Sequence, residues 1–277
     1  MDVRYSPDKN GFKRMTTDEL RESFLIDNLF TENEIPMTYS DIDRSITGSA
    51  VPLGKKLELK ATKKEMAAEH FAERRELGII NIGGAGTVSV DGEKIKMEPK
   101  DALYIGKGAK EISFESETDS EPANFYFVSY PAHTSYPNKH IKFSESTPTK
   151  LGSLEQSNSR TIYKYIHPGV LPTCQLVMGL TELEPGSVWN TMPAHTHQRR
   201  SEVYMYFNLE KDSALFHICG SPEETRHIIM RNKQAVLSTS WSMHAGCATK
   251  NYSFIWAMGG ENQVFDDMDG IPMQDLK

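Results

Sequence analysis

Apolar and polar residues alternate with a period of two along much of the chain. Leu57-Glu58-Leu59-Lys60 and Thr87-Val88-Ser89-Val90 read this way, the period of a half-buried strand. Asp91-Gly92 stands between the second of these and the next strand candidate, where a tight hairpin turn is expected. Further runs follow: ALYIG, EISFES, NFYFVSY, CQLVMGLTEL, EVYMYFNL, ALFHICG, HIIM, AVLS and YSFIWAMGG. They are rich in β-branched and aromatic residues and bounded by Gly, Pro, Asn or Asp. Many short strands with such punctuation predict an all-β chain built as antiparallel sandwiches or barrels, with a few short helices. One stretch breaks the pattern. Thr16-Thr17-Asp18-Glu19 ahead of LRESFLIDNLF predicts a capped amphipathic helix, with Leu20, Phe24, Leu25 and Leu29 on one face. Residues 144–158, SESTPTKLGSLEQSN, are polar and poor in strand signals and predict a linker.

A faint internal repeat supports two units. His70-Phe-Ala-Glu-Arg74-Arg75-Glu76 precedes the apolar run LGIINIGG, and His195-Thr-His197-Gln-Arg199-Arg200-Ser-Glu202 precedes VYMYFNL. Further on, Lys110 stands in the first copy where the second offers His244. The expected organisation is residues 1–150 as a degenerate barrel with a helical N-terminal segment, and residues 151–277 as a barrel that kept a polar cluster.

Composition narrows the function. The 277 residues carry 31 Lys and Arg against 38 Asp and Glu, a formal charge of −7, which argues against nucleic-acid binding. No Lys/Arg cluster adjoins an amphipathic run and no long apolar stretch occurs, so no membrane role is expected. The start MDVRYSPDKNGFKRM lacks an apolar signal core. Cys174, Cys219 and Cys247 are too scattered for a disulfide framework or a CxxC site. A cytoplasmic protein with reduced thiols is expected.

The chemistry concentrates in His195-x-His197-x4-Glu202, with His244 beyond. In a strand, residues two apart share a face, so His195 and His197 would project side by side. Glu202 opens the next strand, and a barrel can bring His244 to the same interior point. Three imidazoles and one carboxylate suit a divalent transition metal and leave coordination positions open.

The HxHx4E run followed by a later histidine resembles the metal motif of the cupin superfamily. The chain therefore resembles a bicupin, two jelly-roll barrels with a metal site in the C-terminal one. The start MDVRYSPD and the runs CQLVMGLTELEPGSVWNTMPAHTHQRRSEVYMYF and WSMHAGCATKNYSFIWAMGGEN are similar to the 5-keto-4-deoxyuronate isomerase family over essentially the whole length. That resemblance implies a ketol-isomerase of pectin and uronide breakdown acting on a small uronate. It also implies one Zn2+ per chain on His195, His197, Glu202 and His244, and a homohexamer. The isomerisation would follow an enediol path, with a base that the residues do not identify; Glu202 is committed to the metal.

Strand alternation adds wall candidates. If Glu202 points inward, so do Tyr204 and Tyr206, as acid or relay groups or as core aromatics; Gln175 is a polar wall candidate. A substrate carboxylate calls for a cation, and Arg160, Lys164, Arg199 and Arg200 are the choices, though the recurrence of Arg-Arg in both halves also fits a structural pair. Trp256 is a pocket candidate. A cupin dioxygenase and a sugar-binding bicupin without turnover fit the same four ligands, and oxygen consumption or absent turnover would distinguish them.

Overall fold

The computed structural model describes all 277 residues. In the first half, a seven-stranded sheet runs in the order Asp2–Arg4, Met37–Ser40, Ile46–Ala50, Phe125–Pro131, Arg75–Asn81, Ala102–Ile105, Lys139–Ile141. A four-stranded sheet of Leu57–Glu58, Ile112–Ser116, Gly86–Val90 and Glu93–Met97 closes over it. Nineteen buried apolar residues drawn from both sheets, among them Leu77, Ile79, Val88, Phe114, Phe125 and Phe127, fill the space between. The second half repeats the plan. Its larger sheet runs Pro148–Leu151, Arg160–Ile166, Val177–Leu183, Ser253–Gly260, Arg200–Phe207, Gln234–Ser238, Leu25–Ile26. Its smaller sheet is Trp189–Asn190, Met243–Ala248, Leu215–Ser221, Glu224–Met230. The all-β expectation holds.

The two large sheets also pack against each other through their outer faces. This covers both sides of the central strands, so Arg75–Asn81 and Arg200–Phe207 are buried at every position. It also explains why residues 77–80 and 203–207 within them are apolar at successive positions instead of alternating. A side chain on Gly78 would meet the ends of Leu176 and Met178 from the other half at 2.7 and 2.8 Å, so the sheets approach closely here and a larger residue would make those side chains shift.

The predicted helix forms over Thr17–Phe24 with a reciprocal capping box between Thr16 and Glu19. It ends one turn earlier than the apolar spacing suggested, because Leu25 adopts extended geometry. Leu25–Ile26 instead pairs antiparallel with Val236 and Ala235 of the second half. Leu20, Phe24, Leu25 and Leu29 all reach the core, the first two from the helix, Leu25 from the strand and Leu29 from the loop beyond it. The predicted linker is partly ordered: Pro148–Leu151 is a strand paired with Arg160–Tyr163.

Register relates the two halves. Two residues after the pair Arg200 and Gly260, Glu202 faces Met258; two residues after Arg75 and Pro131, Leu77 faces Ser129. Two pairs before each hairpin end, His244 faces Cys219 and Phe114 faces Val88. Leu77 and Phe114 therefore stand where the second half has Glu202 and His244, and the first interior is apolar. The expected match of Lys110 with His244 does not hold. Lys110 sits before the Ile112–Ser116 strand, in an exposed turn held by Asp91.

Candidate metal centre

Glu202 lies on the fully buried Arg200–Phe207 strand, between Ser253–Gly260 and Gln234–Ser238. His244 comes from the opposing small sheet. His195 lies on a two-residue strand, His195–Thr196, held by Asp269–Gly270 from the C-terminal segment. His197 follows in the turn, so its alignment with His195 comes from this pairing rather than from a regular strand. The ligand-capable atoms of the four residues all lie within 4.8 Å of one another. His244 Nε2 and His197 Nε2 stand 2.9 and 3.3 Å from Glu202 Oε2, and His195 Nε2 is 3.0 Å from His197 Nε2.

The donor set fits a cation. His197 Nδ1 is 2.7 Å from the Asp267 carbonyl oxygen, which can only accept. Arg200 Nη2, a donor, also stands 3.2 Å from Nδ1, but the shorter carbonyl contact needs the hydrogen on Nδ1, which turns the Nε2 lone pair toward the cluster. Burial, with His244 and His197 alongside, lowers His195 to about 3, so its ring is neutral near pH 7. Burial raises the Glu202 carboxyl, but the neighbouring His244 and His197 outweigh this and hold it below the usual carboxylate range. His244 Nε2 is buried and makes no hydrogen bond of good geometry. Lone pairs and a carboxylate converging without protons between them suit a divalent metal.

A cavity of about 340 Å³ opens onto His195, His197 and Glu202. Of the four cations expected near the site, only Arg160 lines it. Its Nη1 donates to the Asn158 carbonyl at 2.9 Å, which fixes the guanidinium at the wall. The other three are engaged elsewhere. Lys164 Nζ lies over the Phe265 ring, 3.6 Å from its centre. Arg199 is saturated by Asp267 and Asp269, its Nε reaching the Asp267 oxygens at 2.8 and 2.9 Å. Arg200 is buried behind the cluster, donating from Nη2 to the Asp267 carbonyl at 2.9 Å.

The aromatic candidates separate. Tyr204 lines the cavity, its hydroxyl 3.2 Å from Thr191 Oγ1, and burial pushes its pKa well up, keeping it protonated. Tyr206 faces the same barrel interior but does not line the cavity, its hydroxyl lying 2.9 Å from His217 Nδ1 of the opposing small sheet. Trp256 lines the cavity and donates to Thr181 Oγ1 at 3.2 Å. Gln175 is not a wall residue. It precedes the Val177–Leu183 strand, so alternation does not govern it, and its Nε2 donates to the Pro131 carbonyl of the first half at 2.6 Å.

Several site residues escaped the sequence reading. Asn190, Thr191 and Asp266 line the cavity. Residues 261–271 cross its mouth, tied by Arg199 and by the pairing of Asp269–Gly270 with His195–Thr196. The available signal was the acidic run Asp266-Asp267-Met268-Asp269 beyond the last long strand.

Residues 25–271 match the model of the KduI/IolB family. A 4-deoxy-L-threo-5-hexosulose-uronate ketol-isomerase of Lachnoclostridium phytofermentans is 58% identical over 277 residues, covering all of both chains. One of Caldicellulosiruptor bescii is 53% identical, again over the whole of both. Among solved structures, an IolB-like protein from Salmonella typhimurium aligns with a TM-score of 0.64 at 14% identity, over 79% of this chain and 85% of that one. Bacillus subtilis oxalate decarboxylase aligns at 0.55 and 12% identity, over 79% and 70%. The all-β architecture is thus the cupin fold, and the full-length similarity marks an isomerase.

Proposed function

Because this chain belongs to the KduI/IolB family, we propose that it interconverts 5-dehydro-4-deoxy-D-glucuronate and 3-deoxy-D-glycero-2,5-hexodiulosonate, with one Zn2+ per chain on His195, His197, Glu202 and His244. The observation that carries this reading is the convergence of three imidazoles and a carboxylate at the floor of a cavity whose wall holds a single unpaired guanidinium. The setting is uronide breakdown in the cytoplasm. No helix is long and apolar enough to cross a membrane. The hexameric state implied by the family resemblance belongs to the same proposal.

Aldose–ketose isomerisation moves one hydrogen between adjacent carbons and one between their oxygens, without net oxidation. When bound, zinc supplies a Lewis acid for the carbonyl and neighbouring hydroxyl, worth several kcal/mol of charge stabilisation. Arg160, on the cavity wall, holds the substrate carboxylate, where a planar fork matches a carboxylate. This fixes which carbons face the cluster. Tyr204, protonated and beside the cluster, donates a hydrogen bond to a substrate oxygen. Asp266 is the one cavity-lining carboxylate outside the ligand set, and we assign it the proton shuttle between carbons. Trp256 and Phe254 supply apolar walls that displace water.

The test combines elemental analysis with NMR of 5-dehydro-4-deoxyglucuronate in D2O, for wild type and His197→Ala. One zinc per chain and new ketose signals carrying one deuterium, both lost in the variant, are expected. Metal retained with no turnover, or oxygen uptake instead, would overturn the isomerase reading.

A further inference from the structure

We propose that the first barrel carries a second ligand site, a cavity built on Arg75 that takes a small organic carboxylate. The cavity, about 300 Å³, is lined by Tyr39, Arg44, Met66, Phe71, Arg74 and Arg75 among others. Arg75 is only 8% exposed. Its Nε donates to Ser129 Oγ at 3.0 Å, and its Nη2 to the carbonyls of Arg44 and Ser129 at 2.6 and 2.8 Å. These neutral acceptors lock the guanidinium in place and leave Nη1 without a protein acceptor. No carboxylate forms an ion pair with it, although a buried cation ordinarily has one. The charged groups around it are few. Arg44 makes no ion pair, and Arg74 reaches Glu73 at 2.9 Å and the Ala67 carbonyl at 2.8 Å. Glu65, the one carboxylate on the wall, is held by the N-terminal ammonium at 2.8 Å.

The second half shows the contrast. Arg200 occupies the matching strand position and feels the charges of both Glu202 and Asp267. Around Arg75 burial lowers the guanidinium pKa to about 10, and no carboxylate offsets it: its titratable neighbours Tyr39 and Tyr130 are phenols, neutral near pH 7. The first barrel thus lost the ligands that would hold a metal, with Leu77 and Phe114 in their places, yet retained a fixed, uncompensated guanidinium at its mouth. Arg75 Nη1 can donate to one carboxylate oxygen, and the Arg44 guanidinium on the same wall, free of protein acceptors, presents the fork that matches a planar carboxylate. Phe71 and Met66 give an apolar wall, Tyr39 a hydroxyl, and the volume is at the small end of ligand pockets, about 300–1,000 Å³. An acid of monosaccharide size meets these conditions. A short run of contacts links the site to the strand of Glu202: the Arg44 carbonyl that holds Arg75 is next to Asp43, whose Oδ2 accepts from Ser201 N at 3.0 Å, one residue before Glu202.

The test is calorimetric titration with D-glucuronate in an Arg160→Ala/His195→Ala background, which disables the C-terminal cavity and so separates this site from the proposed active site. Methyl glucoside and inorganic phosphate serve as neutral and non-planar comparisons. One saturable glucuronate site per chain is expected, weakened at least tenfold by adding Arg44→Gln or Arg75→Lys. The Arg44 side chain makes no hydrogen bond, so Arg44→Gln leaves the fold intact even if Arg75→Lys does not. No binding in the background, undiminished binding with Arg44→Gln, or equal binding of methyl glucoside or phosphate would each overturn the proposal.

Discussion

Among the cations near the cluster, sequence spacing alone offered four equal choices, and their acceptors separate them. Arg199 is held by two aspartates, Arg200 by a carbonyl and Lys164 by an aromatic face, whereas Arg160 gives one N–H to Asn158 and turns the rest to the cavity. If it clamps the substrate carboxylate, Arg160→Ala should raise KM by roughly 10–100-fold, the range of a lost charge-assisted pair of about 1.5–3 kcal/mol. Arg160→Lys should recover only part of this, because an ammonium cannot bond both oxygens in one plane. Steady-state kinetics decide it: unchanged KM in Arg160→Ala removes the residue from that role. The residue types that converge were legible as HxHx4E with a later histidine, although the pairing that aligns His195 and His197 comes from a distant segment. The identity of the clamp was not, because it depends on which acceptors the chain folds around each arginine.

At the scale of elements, the central strands announced themselves, while the short pieces that finish the site did not. Residues 203–207 and 254–258 are apolar runs whose sequence dictates burial. His195–Thr196 and Asp269–Gly270 are two residues each, and only their mutual pairing makes them strands. No local propensity predicts such a pair. The Leu25–Ile26 strand was hidden for a related reason: helical spacing ran on past Phe24, and a tertiary partner, Val236, overrode it. The C-terminal segment 261–271 acts on the site in two ways. The Asp267 carbonyl fixes the His197 tautomer, and the Asp267 side chain is tied to Arg199. Arg199→Gln should loosen this tie and lower metal affinity by about tenfold, the low end for partners that orient metal ligands. The melting temperature should move little, since Arg199 is about a third exposed and its Asp269 partner more so. Competition with a chromogenic chelator measures the first and calorimetry the second. Unchanged affinity would mean that the backbone pairing of Asp269–Gly270 alone holds the segment.

Across the whole molecule, the two barrels were legible as a repeat, but their mode of association was not. It rests on residues whose partners lie about a hundred positions away. Glu76 is the clearest case. It is fully buried, and its carboxylate accepts from the backbone N–H groups of Cys174, Gln175 and Leu176 at 2.7, 2.7 and 2.8 Å, and from the Tyr104 hydroxyl at 2.8 Å. A first-half side chain thus organises the loop that leads into a cavity-wall strand of the second half. Four donors converge on one anion, and each such bond to a charged group contributes about 1.5–3 kcal/mol. Glu76→Gln keeps the shape, but it removes the charge and turns two N–H donors toward backbone donors. A loss of about 3 kcal/mol or more is expected, comparable to breaking a buried charge network. Because the large sheets share one core of 41 buried residues, the halves should still unfold together. Urea titration of Glu76→Gln should move the midpoint of a single transition seen alike by tryptophan fluorescence and circular dichroism. All three tryptophans, Trp189, Trp241 and Trp256, lie in the second half, so fluorescence reports that barrel alone. A fluorescence transition that stays at the wild-type midpoint while the ellipticity shifts would show that the barrels fold independently and that Glu76 matters only to its own.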